Sequence, residues 1–125
     1  MKTYIQVEHP LLTNKYTKVF CEPKEEQEFN APHHFKVIVN NESVGYETIG
    51  NINFQCGPIK ENGVNGICDE DLLVMVIKRL ESFQDSEFRC RDNAMVITKL
   101  EEALLWLRKR TIARENRGVE GTNKV

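Results

Sequence analysis

The sequence predicts an α+β fold: a small antiparallel N-terminal sheet followed by a long antiparallel helical hairpin. Three observations carry this. Apolar residues alternate with period two up to about residue 55, a glycine-rich loop follows at residues 57–66, and helical periodicity then runs to residue 117. The chain reads as a single domain, with a β-rich part over about residues 1–58, a helical hairpin over about 67–117 and a flexible tail over 118–125.

The first thirty residues carry the weakest signal. Residues 3–7 alternate faintly and are ended by Pro10, and residues 16–21 form a second faint strand pattern. Residues 22–28 are acid-rich and read as an exposed loop. The pattern sharpens at His34: Phe35, Val37 and Val39 alternate with Lys36, Ile38 and Asn40 in a strand rich in β-branched residues. Asn40-Asn41-Glu42-Ser43 supplies turn chemistry, since Asn tolerates positive φ and bonds its own backbone. The chain returns over residues 46–55 with Tyr46, Thr48, Ile49, Ile52 and Phe54 at strand-favouring positions. Gly50 interrupts that run and predicts a bulge or a break.

Residues 57–66, GPIKENGVNG, form a loop by composition. Three glycines let backbone N–H groups approach a ligand, yet the G-K-[ST] end of a phosphate-binding loop is missing. An ordinary sheet-to-helix connection is the favoured reading. Asp69, Glu70 and Asp71 then mark a helix start. Leu72, Leu73, Val76, Ile77, Leu80 and Phe83 make a broad apolar stripe, and Val74 and Met75 leave almost no polar face. Such a helix needs cover on several sides, from the sheet, the second helix or another chain. After a connection at residues 84–89, the long helix carries Ile97, Leu100, Leu104, Leu107 and Thr111 on one seam. Gly118 is its stop signal.

The end of that helix carries Arg110, Arg114 and Arg117 at i, i+4, i+7. Like charges so spaced repel by a few tenths of a kcal/mol. Two readings stand: cations suit the negative end of the helix dipole, or the row binds an anion, to which guanidinium groups make bidentate contacts.

The remaining composition narrows the function classes. A formal charge of −2 argues against DNA binding. No apolar run approaches a membrane span and the start lacks a secretory h-region, so a soluble, intracellular protein is expected. Cys21, Cys56, Cys68 and Cys90 show no C-x-x-C spacing and read as reduced, mostly packed thiols. His33-His34 lack metal-ligand spacing with them, and no catalytic carboxylate or histidine cluster is spaced for chemistry. Neither a metal nor a cofactor is expected.

Four stretches together resemble a bacteriophage family: NFQCGPIKENGVNG from Asn53, EDLLVMVIKRLESFQ from Glu70, CRDNAMVITKLEEALLWLRKRT from Cys90, and RGVEGT from Arg117. They are similar to the anti-Thoeris sponges, which share a helical-hairpin domain with the anti-CBASS cyclic-oligonucleotide sponges. The resemblance covers roughly residues 35–122. It implies a non-enzymatic protein in the cytoplasm of an infected bacterium. Such a protein captures a cyclic ADP-ribose isomer of the glycocyclic type, made by a TIR-domain protein, and so keeps the Thoeris effector silent. It also implies ligand contacts at Phe83 and Asn93 near the hairpin tip and at Arg110 and Arg114 near the far end. Asn65 and Arg91 are secondary candidates, Arg91 for a second site that takes cyclic oligonucleotides in some relatives. Without the resemblance, Phe83 reads as core and Asn93 as an early-turn hydrogen bonder.

Asn93 and Arg110 are seventeen positions apart on one helix, about 25 Å at 1.5 Å per residue. One small ligand cannot bridge that span within a chain. The expectation is therefore a two-fold homodimer with two equivalent pockets, or a larger ring of dimers such as a hexamer. Two rival classes remain: an enzyme that cleaves the nucleotide signal, and a protein-binding inhibitor of a host defence factor.

Overall fold

The structure is a computed structural model that describes residues 3–39 and 47–125. It consists of two compact units, Met1–Gly66 and Ile67–Val125. The first unit is a four-stranded antiparallel meander in the order β1-β2-β3-β4, formed by β1 (Ile5–Gln6), β2 (Thr17–Cys21), β3 (His34–Val39) and β4 (Thr48–Asn53). The turn expected at residues 40–43, and Tyr46, lie outside the described residues.

Register explains which face is apolar. Cys21 pairs with Phe35 and Phe35 with Ile52, while Val19 pairs with Val37 and Val37 with Gly50. Those rows put Val19, Cys21, Phe35, Val37 and Ile52 on one face, as the alternation at residues 35–39 predicts. The expected irregularity at Gly50 is a bulge: Val37 faces Gly50 but Ile38 faces Thr48, so Ile49 is the extra residue. Phe35 and Phe54 meet edge to face with centroids 5.6 Å apart.

One expectation fails at its first residue. Glu22 is not an exposed loop residue; it is 2% exposed. Its two carboxylate oxygens each lie 3.2 Å from both the His33 and His34 backbone nitrogens, which donate to it. Burial pushes the Glu22 carboxyl up, but these N–H donors, with His34 nearby, outweigh it and hold the group below the ordinary glutamate value. The sign follows directly. Glu22 stabilises the fold above the ordinary glutamate range and loses that contribution as pH falls through its lowered folded value. Glu22→Ala, which strands two backbone donors, is expected to cost about 3 kcal/mol by denaturant unfolding. It should also flatten the acid limb of the stability profile.

The loop after β4 contains a single turn of helix, α1 (Ile59–Asn62), that composition alone did not reveal. It is laced by side chains. Gln55 Nε2 donates to the Gly57 and Gly63 carbonyls at 3.0 and 2.8 Å, and Asn62 Nδ2 donates to the Pro58 carbonyl at 3.1 Å. Gly66 closes the loop where a Cβ would sit 2.4 Å from the Phe54 carbonyl carbon and oxygen. Backbone cannot yield there. Gly66→Ala is expected to destabilise by about 1–3 kcal/mol, the usual cost of overpacking; an unchanged denaturation midpoint would contradict this close approach.

The second unit is α2 (Asp69–Gln84) and α3 (Arg91–Asn116), packed on each other across a short connection. Short connections make antiparallel neighbours. At 16 and 26 residues the arms are unequal, so α2 accompanies only the first part of α3. Both helices begin on cysteines. The Cys68 N–H donates to Asp71 Oδ2 at 2.8 Å, and the Cys90 sulfur accepts the Asn93 N–H at 3.4 Å. All four thiols are free and only Cys21 is buried, so the expectation of mostly packed cysteines is corrected: Cys68 and Cys90 are exposed and start helices.

Packing on α3 buries Ile77 and half-buries Leu73 and Leu80. It leaves Val74, Met75 and Val76 exposed at 51, 58 and 45%. One neighbour therefore does not cover the width of this apolar surface. The seam anticipated on α3 is present but half-buried, and α3 has no fully buried residue. No helix among the described residues is long and apolar enough to cross a membrane.

Candidate functional site

The half-buried seam of α3 runs Asn93, Ile97, Leu100, Leu104, Leu107, Thr111, Arg114, alternating steps of four and three. Its apolar middle packs, while its ends are an amide and a guanidinium. This is how one helix displays two candidate ligand groups in line. Arg110 sits on the next stripe, with Val96, Lys99, Ala103 and Trp106. That flank is open: Val96 is 41% and Trp106 62% exposed.

At the hairpin tip, Phe83 is half-buried and framed by two residues that sequence reasoning missed. Phe88, 66% exposed, meets it edge to face with centroids 6.5 Å apart. The Arg79 guanidinium lies 5.4 Å from the ring centroid. Arg79 stands one turn before Phe83 and was legible as an i, i+4 pair; Phe88 lies in the connection, where no periodicity marks it. The Asn93 amide makes no hydrogen bond to the described residues, because the early-turn capping role falls to its backbone N–H and to Cys90.

The arginines differ in their engagement. Arg110 is exposed and has no hydrogen bond or ion pair among the described residues. Glu115 turns instead to Arg108, at 3.4 Å on an exposed surface, so it does not neutralise Arg110. Arg114 is half-buried, and its Nη2 donates to the Val119 and Thr122 carbonyls at 3.1 and 3.0 Å. Those acceptors are neutral, and no ion pair among the described residues compensates its charge. Arg117 reaches the Val125 carbonyl. A row of cations with one free fork and one oriented guanidinium can hold a phosphate or pyrophosphate group.

The secondary candidates behave differently. Asn65 has its side chain spent on Cys56, accepting from its N–H and donating to its carbonyl, both at 2.8 Å. That makes it a pin for the loop. Arg91 is exposed at the first position of α3 and has no partner among the described residues. Among those residues no group of three or more histidines, cysteines and carboxylates is placed to hold a metal.

Comparison with known proteins bears on this arrangement. The profile of the Acb2/Tad1 hairpin domain matches residues 47–111, which include Phe83, Asn93 and Arg110. A protein of Bacillus phage SBSphiJ7 named Thoeris anti-defense 1 is 49% identical over 139 aligned positions, covering 95% of this chain and 98% of that protein.

Proposed function

The chain belongs to the anti-Thoeris branch of the Acb2/Tad1 hairpin family, and from that premise we propose that it is a sponge for a cyclic ADP-ribose isomer. It binds the TIR-made signal without cleaving it and so starves the Thoeris effector. The observation that supports this most is Arg110 beside the oriented Arg114, two cations on one helix end with no ion pair among the described residues. They suit the pyrophosphate. The Phe83 ring suits the adenine by stacking, and the unengaged Asn93 amide suits a base or ribose edge.

Asn93 is 21 positions from Arg114 in α3, about 31 Å along the helix. A single ligand reaches both groups only if a second copy runs antiparallel, laying its arginine end at the first copy's tip. That pairing sets the register. Asn93 opposite residues 110–114 places the two-fold axis near Glu102 and Ala103, and Trp106 one turn from it. The open flank Val96-Lys99-Ala103-Trp106-Arg110 is the face that meets its counterpart. Two equivalent pockets result.

Native mass spectrometry after incubation with a TIR-generated nucleotide pool tests this reading. The expected species carries an even number of chains and one nucleotide per chain, with dimers or rings of dimers both acceptable. A bare protein under these conditions would instead favour the protein-binding inhibitor. Arg91 is the residue to probe for a second, cyclic-oligonucleotide site: if Arg91→Ala weakens binding of a cyclic trinucleotide and leaves cyclic ADP-ribose binding intact, the two sites are separate.

A further inference from the structure

Composition gives residues 118–125 no means of holding structure alone, yet residues 118–122 are folded back onto the helix end. Gly118, at φ +73°, opens the turn: its N–H donates to the Glu115 carbonyl at 3.0 Å, and the Val119 N–H donates to the Arg114 carbonyl at 3.1 Å. This is a Schellman cap, with both bonds in the six-to-one and five-to-two pattern. The next turn is closed by Thr122, whose N–H and hydroxyl both donate to the Val119 carbonyl, at 3.1 and 2.5 Å. Arg114 Nη2 then spans the Val119 and Thr122 carbonyls. Backbone and side chain of Arg114 thus grip the same short strap.

We propose that this strap is a positioning element for anion binding: it fixes the Arg114 guanidinium in its working orientation before the ligand arrives, with Thr122 as the positioning residue. The inference rests on the sponge reading. Two points carry it. Both strap acceptors are neutral carbonyls, which satisfy two of the five guanidinium donors without cancelling the charge. The strap therefore orders the side chain yet leaves the three remaining N–H donors, on Nη1 and Nε, for separate acceptor oxygens of the ligand. In addition, Arg110 one turn earlier has no such tether, so the pair divides the work. Arg110 offers a complete fork that closes on the ligand, and Arg114 offers a pre-set contact whose ordering cost is met in folding rather than in binding.

The test uses full-length protein and calorimetric titration with glycocyclic ADP-ribose made by a TIR-domain enzyme. Thr122→Val, which deletes the hydroxyl and keeps the shape, is expected to weaken binding about 3- to 10-fold, the scale of one immobilised long side chain. Thr122→Ser should restore the wild-type constant. Placed in an Arg114→Ala background, Thr122→Val should have no further effect. An equal loss in both backgrounds would mean that the strap acts elsewhere, and tighter binding by Thr122→Val would make it a competitor of the ligand. Unchanged binding would remove any role. Each of these overturns the inference while the sponge reading stands; wild-type protein that binds no nucleotide overturns the sponge reading itself. Nitrogen-detected NMR of the Arg114 side chain, slow to exchange in wild type and averaged in Thr122→Val, reports the ordering without any ligand.

Discussion

Replacing Arg110 and Arg114 together with alanine is expected to remove nearly all nucleotide binding while leaving the fold in place. Under the proposed assignment each arginine would contribute charge-assisted hydrogen bonds worth about 1.5–3 kcal/mol. The pair therefore accounts for about 3–6 kcal/mol, roughly two to four decades of affinity. Neighbouring contacts to one ligand group need not add, so the double substitution can fall short of the sum of the singles. Folding should tolerate the change for different reasons at the two positions. Arg110 has no partner among the described residues, and its removal relieves like-charge repulsion of a few tenths of a kcal/mol along the helix. Arg114 holds only the terminal strap, beyond the seam that packs on α2. Calorimetry and helical circular dichroism separate the two effects. Full affinity in the double variant would sink the site assignment, and loss of helix would show that the arginines are scaffold.

The second large effect concerns Trp106. In the proposed antiparallel pairing, Trp106 would lie one turn from the two-fold axis, so each dimer would use it twice. Buried aromatic anchors at interface centres are worth about 2 kcal/mol or more apiece. Trp106→Glu, which also puts two like charges near the axis, should therefore dissociate the assembly at micromolar concentration. Within its own chain Trp106 is 62% exposed and has Lys109 Nζ 4.8 Å from its ring centroid, so the monomer should remain folded. Nucleotide binding should fall with the assembly, because each pocket loses one of its two walls. Light scattering beside calorimetry reads both quantities. A monomeric Trp106→Glu that still binds tightly would contradict the shared pocket.

Much of this architecture was legible in the residues. The alternation at Phe35, Val37 and Val39 marked β3 and its apolar face, because one side of a strand must pack. The seam from Ile97 to Thr111 and the stop at Gly118 marked α3 from start to cap. What stayed hidden shares a physical cause: polar groups that act through the backbone leave no periodic trace. Glu22 sits in an acid-rich stretch and reads as solvated, yet it is buried because two consecutive N–H groups need an acceptor. Cys68 and Cys90 start helices although cysteine is a weak acceptor and no ordinary cap signal. The strap at residues 118–122 carries no periodic pattern and gains its order from the helix-end cap, the turn closed by Thr122 and the Arg114 guanidinium. For the candidate site, helical spacing marked the row Arg110, Arg114 and Arg117, and the family resemblance, rather than spacing, selected Phe83 and Asn93. Phe88 beside Phe83 emerged only from the folded tip, whereas Arg79 was within reach of helical spacing.

Stoichiometric capture requires both tight binding and chemical restraint. At a dissociation constant near 1 nM, about −12.3 kcal/mol, a micromolar sponge leaves little free signal. A pocket closed between two chains can reach that strength more readily than an open groove. The most direct measurement is to incubate the protein with excess glycocyclic ADP-ribose, remove unbound nucleotide, denature the complex by heat, and identify the released molecule by chromatography and mass. A sponge returns the original cyclic nucleotide in amounts stoichiometric with the pockets, and the released material activates the Thoeris effector again. Recovery of a cleaved product, with the nucleotide consumed over many turnovers, would establish an enzyme and contradict the account.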